Sequence, residues 1–300
     1  MEARVTVASC LLVASLAAPA VPAEKQAALW EKLRARIEAV DRGLDGVLGV
    51  SVKDLKGGLT LDIRPQEPFP QASSIKLTVL YELYREAEEG RIDLAELTRP
   101  PATRVRGGGV LQELGDHVSL TWRDVAVLMM GWSDNAATNV LIDRLGMDAV
   151  NRRLDSLGLR ATRLRRKMMD LEAARRGDEN VSTPAEMRQL AETIFGGTGL
   201  SKERARDILA VASVPKDSPF RVPLPEDLVV ADKPGSLEGV RCVTAAVDLP
   251  GRPYVVSIMT TYLRHDGDGE AAIRQISAAL YETFDRLARS SDLGRIISEK

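Results

Sequence analysis

The chain has 300 residues, 44% of them hydrophobic and 28% charged, a composition that supports a large buried interior and argues against a disordered or membrane-embedded protein. With 41 basic against 43 acidic side chains the net charge is −2. No basic stripe interleaved with aromatics is present to track a phosphate backbone, so nucleic acid is not an expected partner.

Arg4 precedes an apolar run from Val5 to Val21, and Val21-Pro22-Ala23 then meets the charged Glu24. This is the arrangement of a secretory signal, with residues 1–23 removed and export to the periplasm or the exterior. The run is short, rich in Ala and Pro, and lacks a basic stop, which disfavours a membrane helix. Val7-Ala8-Ser9-Cys10 loosely resembles a lipoprotein box, but too few residues precede Cys10 for a hydrophobic region to engage export machinery. After cleavage Cys242 remains as the single cysteine, so no internal disulfide is expected and Cys242 reads as a buried apolar filler.

Leu29, Leu33, Ile37 and Val40 recur at spacings of three and four, predicting an amphipathic packing helix. Two β-rich runs, Val47 to Leu55 and Leu59 to Ile63, flank Lys56-Gly57-Gly58 and predict a hairpin. From Ser73 to about Val214 the pattern turns helical. Leu77, Leu80, Tyr81 and Tyr84 share one face of the first helix, which Gly90 stops. Thr121 to Asp124 reads as a capping box, and Thr183-Pro184-Ala185-Glu186 places a cap, an N1 proline and an N3 glutamate in order. Between Leu159 and Ser182 the hydrophobic period is lost, predicting a long surface loop with at most one helical turn.

The last third returns to strands at Leu228 to Asp232, Val240 to Asp248 and Tyr254 to Leu263, then to a helix carrying Ile273, Ile276, Leu280 and Phe284. The predicted fold is therefore α+β: a three-layer α/β/α sandwich around a five-stranded antiparallel sheet built from both chain ends, with an all-helical lobe inserted. The expected mature unit is 24–300, with 24–68 and 216–300 forming the α/β lobe and 69–215 the helical lobe. Active sites commonly occupy the cleft between two such lobes.

Three short motifs carry chemistry. Ser73-Ser74-Ile75-Lys76 stands where a loop becomes a helix, with Lys76 one turn after Ser73 on the same face. Partial burial beside Leu77 and Leu80 would lower the lysine's pKa and let its amine activate the hydroxyl; taken alone, the pattern equally describes a cap and a surface lysine. Ser133-Asp134-Asn135 follows a helix ending at Gly131 and either caps the next helix or presents polar groups to a cleft. Lys233-Pro234-Gly235-Ser236 reads as a strand end whose glycine lets a substrate lie alongside while the ammonium meets an anion, or as an ordinary turn with a solvated lysine.

In this order, with Phe69 before the serine, Thr162-Arg163-Leu164 opening the long loop and Thr183-Pro184 closing it, the motifs resemble the serine β-lactamase and penicillin-binding protein superfamily, and its class A branch in particular. The resemblance implies a hydrolase acting on β-lactams through a Ser73 acyl-enzyme. Lys76 would take the Ser73 proton, directly or through water, and Ser133 would relay a proton to the leaving ring nitrogen. Backbone N–H groups of Ser73 and Ser236 would hold the oxyanion, Asn135 would bind the acylamino group, and Asp134 would brace the loop. Lys233, Gly235 and Ser236 would form the wall that receives the substrate carboxylate; Arg241 would add a contact or else be a solvent-facing strand charge. His117 and His265 are isolated, so no metal or other cofactor is expected. The expected partner is a small β-lactam, met by a monomer without stable membrane insertion.

Two departures bear on turnover. The family's usual deacylating glutamate falls near Met168, leaving Asp170 and Glu172 as the nearest carboxylates. A loop one residue shorter would bring Glu172 to the hydrolytic water, and otherwise Glu172 is a solvated charge. Pro234 replaces the usual hydroxyl residue, removing one hydrogen bond to a substrate carboxylate. Acylation is therefore better supported than hydrolysis, and a DD-peptidase-like hydrolase or a β-lactam-binding sensor stands as the alternative.

Overall fold

The computed structural model describes residues 24–291 and 293–296; the expected signal segment 1–23 and Cys10 lie outside the described residues. The chain opens with α1 (Glu24–Gly43), the hairpin β1 (Val47–Asp54) and β2 (Thr60–Ile63), and the two-residue β3 (Phe69–Pro70). A 3₁₀ turn at Ala72–Ile75 leads into α2 (Lys76–Glu88), followed by β4 (Leu97–Thr98), β5 (Leu120–Thr121), α3 (Trp122–Gly131), α4 (Asn135–Leu145) and α5 (Met147–Ser156). Then come α6 (Leu171–Arg175), β6 (Val181–Ser182), α7 (Pro184–Phe195) and α8 (Lys202–Ser213). The chain returns through β7 (Val230–Leu237), β8 (Val240–Val247), β9 (Tyr254–Thr261) and α9 (Asp266–Ala288).

The main sheet has the order β2-β1-β9-β8-β7 and is antiparallel throughout, as the two β-rich ends of the chain predict. β1 and β9 zip together from Val47↔Thr261 to Asp54↔Tyr254, joining the two ends directly. Alternate side chains of β9 serve two cores, because successive residues of a strand face opposite sides. Tyr254, Val256 and Ile258 pack with Leu48, Val50 and Val52 beneath α1 and α9, whereas Val255 and Met259 face the helical lobe. Within the first core Phe284 stacks on Tyr254 at 4.3 Å and meets the edge of Trp30 at 5.6 Å. Each such pair contributes ~0.5–1.5 kcal/mol beyond its burial.

α2 is buried on every side, not on the single face its apolar stripe predicts: Lys76 through Tyr84 are all enclosed. α4, α5, α7 and α8 pack around it, so its polar positions must find internal partners. Glu82 does so by accepting from Arg153 Nε at 2.7 Å. Both expected caps form, with Thr121 and Asp124 exchanging capping bonds and Thr183 accepting from Glu186 N ahead of Pro184.

The C-terminal strands differ from expectation at one place that matters. Lys233 to Ser236 lie inside β7, not in a turn after it, with Lys233 opposite Thr244, Gly235 opposite Cys242 and Ser236 opposite Arg241. Pro234 is tolerated because β7 is an edge strand, where a missing N–H need not cost a ladder bond. Its free flank forms a wall of the cleft between the sheet and the helical lobe.

Candidate active site

The turn that carries Ser73 is braced from both sides. β3 pairs with β6, and Gln71 N donates to Asn180 O at 2.9 Å, fixing the chain as it enters the turn. Ala72 then adopts φ +44°, a conformation L-residues rarely hold, which swings the chain into the 3₁₀ turn at Ser73. Beneath it Ser74 N donates to Gln71 O at 2.8 Å, and Ser74 Oγ bonds Thr244 Oγ1 at 3.3 Å. Cys242 is buried as expected, yet it is not merely a filler, since its Sγ donates to Gln71 O at 3.1 Å. Burial pushes its pKa up to about 12, so it stays a neutral thiol.

Gly235 presses directly on this turn. A Cβ there would lie 2.8 Å from Gln71 O, Ser74 N and Cys242 Sγ, so only glycine lets the strand edge reach the serine turn. Gly235→Ala is expected to force the two apart at a cost of about 1–3 kcal/mol. Reactivity of Ser73 toward an acylating probe should fall by roughly tenfold or more. Thermal melting and timed mass spectrometry check the pair; unchanged labelling would remove the need for glycine.

Facing Ser73 across the cleft, the α3–α4 connection presents Ser133 at φ +52°. Asp134 pins this connection by accepting from Val110 N (2.7 Å), Leu111 N (2.7 Å) and Ala137 N (2.8 Å). Lys76 Nζ reaches Ser133 O (2.6 Å), Asn135 Oδ1 (2.9 Å) and Ser133 Oγ (3.2 Å). Its contacts are therefore with this connection and not with Ser73. Lys233 Nζ donates to Ser133 Oγ at 3.0 Å and to Pro234 O at 2.9 Å. The Ser133 hydroxyl oxygen thus lies between two amines, which leaves its proton available to a group in the cleft.

Both amines are buried, and burial is the main reason their pKa values drop. Lys76 falls well below the usual lysine range, helped by the charge of Lys233 and opposed by Asp134. Lys233 is lowered to about 7, by burial first and then by Lys216, with Asp232 and Cys242 opposing. A neutral lysine amine can accept a proton, which an ordinary surface lysine at neutral pH cannot.

Two recesses share Ser73, Ser133 and Ser236. One, of about 280 Å³, runs along β7 toward α9 past Lys233, Gly235, Asp217, Arg241 and Arg274. The other, of about 300 Å³, runs under the long loop and is lined by Trp132, Asn135, Arg166, Met168, Met169 and Asn180. Ser73, Lys76, Ser133, Asn135, Lys233, Gly235 and Ser236 are therefore brought together. Asn135 already uses its amide, which links Lys76 to Gly107 O through Nδ2 at 2.8 Å.

Two expected site residues stand differently. Arg241 borders the first recess, but its guanidinium is committed to Asp266 (3.0 Å), Glu270 (3.1 Å) and the carbonyls of Leu237 and Val240. It is neither a free anion receptor nor solvent-facing. Glu172 is exposed on α6 and lines neither recess, while Asp170 spends its carboxylate capping α6 through Ala173 N at 2.9 Å. The loop cannot slip to bring Glu172 inward without breaking its backbone pins. Asn139 exchanges bonds with Met168 N (2.8 Å) and O (3.1 Å), and Asn180 Oδ1 accepts from Arg165 N and Arg166 N at 2.7 and 3.1 Å. Met168 consequently occupies the recess, 6% exposed.

The sequence motifs did not reveal Asn139, Asn180, Arg274 or the buried Lys216 near this site. Asparagines flanking a long aperiodic loop are the one available signal, since such side chains satisfy irregular backbone.

Comparison with known proteins adds an independent line. Residues 31–284 match the model of the beta-lactamase enzyme family. Beta-lactamase CARB-4 of Pseudomonas aeruginosa is 28% identical over 289 residues, covering 93% of this chain and 99% of its own. The crystal structure of a beta-lactamase from Sphaerobacter thermophilus superposes with a TM-score of 0.76 at 30% identity, over 85% of this chain and 98% of that one. A PBP-A variant in acyl-enzyme complex with penicillin-G gives a TM-score of 0.77 at 27% identity, over 85% of this chain and 97% of that one.

Proposed function

The chain belongs to the beta-lactamase enzyme family, and we propose that it opens the cyclic amide of β-lactams as a serine hydrolase, through an acyl-enzyme on Ser73. The observation that carries this reading is Ser133 Oγ held between Lys76 and Lys233 opposite the Ser73 turn. Lys76, in its neutral form and directly or through water, takes the Ser73 proton as Ser73 Oγ attacks the lactam carbonyl, forming the C–O bond. The N–H groups of Ser73 and Ser236, on a rigid turn and a strand edge, receive the oxyanion without reorganising. The C–N bond then breaks as Ser133 protonates the ring nitrogen, with Lys76 returning a proton to Ser133. Lys233 and Ser236 receive the substrate carboxylate, and the Asn135 amide meets the acylamino group.

Hydrolysis of the acyl-enzyme is the slow half. The loop-side recess has Met168, Met169 and Arg166 along its wall and no carboxylate among its lining residues, so water there lacks a strong base. This observation favours a second reading, a DD-peptidase-like hydrolase on which β-lactams linger. Export through a signal at residues 1–23 remains part of the proposal; no described helix is long and apolar enough to cross a membrane.

Intact-protein mass spectrometry after brief exposure to benzylpenicillin is expected to show one covalent adduct per chain with the full mass of the drug. Turnover of a chromogenic cephalosporin, measured alongside, should follow a stoichiometric burst and be limited by adduct decay. Absence of both adduct and ring-opened product would overturn the reading.

A further inference from the structure

The least explained charges near the cleft lie behind β7. Lys216, in the link from α8 to β7, has a side chain 3% exposed, and the Asp232 carboxylate it meets is fully buried. Lys216 Nζ donates to Ala212 O (2.6 Å), Asp232 O (3.1 Å) and Asp232 Oδ1 (3.3 Å). Arg221 Nε approaches the same Oδ1 at 2.8 Å, and its Nη2 donates to Val230 O at 2.5 Å and Ser213 O at 3.2 Å. Asp232 Oδ2, by contrast, is buried with no hydrogen-bond partner. Two cations converge on one oxygen of a single carboxylate, immediately before Lys233 in the strand.

Structural needs alone do not call for this arrangement. One cation neutralises one carboxylate, and a second buried charge adds a desolvation cost that an apolar side chain of similar volume would avoid. The surplus positive charge is held on the carboxylate of Asp232, the strand residue next to Lys233, whose own Nζ holds Ser133 Oγ. We propose that Lys216 is a positioning residue of the acylation step, setting from behind β7 the charge carried by Lys233 and thereby the polarisation of Ser133 and the reception of an anionic substrate group. The inference rests on the roles of Ser73, Ser133 and Lys233 given above.

The ionisable groups around Lys233 come from each element packed against it. α2 supplies Lys76, the start of α4 supplies Asp134, and β7 supplies Asp232. β8 supplies Cys242 and Arg241, α9 supplies Glu270 and Arg274 along the same recess, and the α8–β7 link supplies Lys216, Arg221 and Asp217. Arg241 and Glu270 largely offset one another as an ion pair. Among the charges, Lys216 acts most strongly on Lys233 and Asp232 opposes it. Lys216 is itself lowered to about 8, by burial first, with Asp232 opposing and Arg221 contributing.

The test is the pH profile of Ser73 acylation by benzylpenicillin, measured as adduct formation by rapid-quench mass spectrometry. In Lys216→Met the alkaline limb should move up by roughly one pH unit, because Lys233 keeps its proton longer without a like charge behind it. Lys216→Arg retains the charge and should leave the limb where the unaltered protein has it. A limb unmoved in Lys216→Met overturns the proposal, whatever the change in melting temperature. If that variant does not fold, NMR titration of ¹³C-lysine-labelled unaltered protein decides: two coupled lysine transitions between about pH 6 and 9 support it, and none overturns it. Should no adduct form at any pH, the proposed activity fails separately. The lysine resonances then still report the coupling, supporting it if Lys233 moves upward in Lys216→Met and overturning it if Lys233 does not move.

Discussion

Ser73→Ala is expected to abolish the penicillin adduct and to lower β-lactam consumption by about 10⁴-fold or more. Lys76, Ser133 and Lys233 would remain in place, but the proton transfers and anion binding they provide serve a bond that only the Ser73 oxygen forms, so removing that oxygen leaves them nothing to assist. The alanine fits the 3₁₀ turn, whose bracing comes from Gln71, Ser74 and Gly235. Stability should therefore stay within about 0.5 kcal/mol, as for a substitution that breaks no buried contact. Mass spectrometry of the variant with benzylpenicillin, together with its melting curve, separates loss of chemistry from loss of fold. An adduct at the same rate would place the nucleophile elsewhere.

Met168→Glu should act in the opposite direction, raising the rate of adduct decay by roughly 10²–10³-fold, the contribution typical of a positioned general base. Met168 already stands in the recess beside Ser73, and both its backbone groups are locked to Asn139, so a carboxylate placed there is held facing the ester. The cost is enclosing a charge that is 6% exposed as methionine, about 1–3 kcal/mol of stability after hydrogen bonding to water and nearby donors. Glu172→Gln serves as the control and should leave decay unchanged, because Glu172 points to solvent from α6. Decay followed by time-resolved mass spectrometry decides, and equal lifetimes in Met168→Glu and the unaltered protein would discard the account of slow hydrolysis.

Much of the architecture is legible in the sequence because it follows from local periodicity. The helical stripe from Leu29 to Val40, the hairpin at Lys56-Gly57-Gly58 and the last two strands appear where alternation and turn residues put them, while the strand expected to end at Asp232 runs on to Leu237. The pairing of β1 with β9 follows from having apolar strands at both ends of the chain. Features set by distant packing were not legible. The stripe on α2 gives one buried face, and only the surrounding helices bury the rest. Proline ordinarily argues against a strand, and Pro234 is admitted because β7 proves to be an edge. Arg241 looks free until α9 brings Asp266 and Glu270 to it. Lys216, between two prolines in Val214-Pro215-Lys216-Asp217-Ser218-Pro219, has the local signature of a solvated loop lysine, and nothing in its neighbours announces its burial.

The enclosed amines bear on how the molecule folds as well as on how it reacts. Lys216 and Lys233 hold protons up to only about 8 and about 7 in the native state, and Lys76 also falls far below the value near 10.4 of an unfolded chain. Folding above pH 7 to 8 therefore expels protons that the unfolded chain would keep. Through this linkage native stability climbs with alkalinity until the unfolded lysines titrate too, and below pH 7 the contribution of Lys233 stays at its most unfavourable. The two apolar cores on either side of the sheet must offset that standing penalty, making the catalytic cleft a region the rest of the fold sustains.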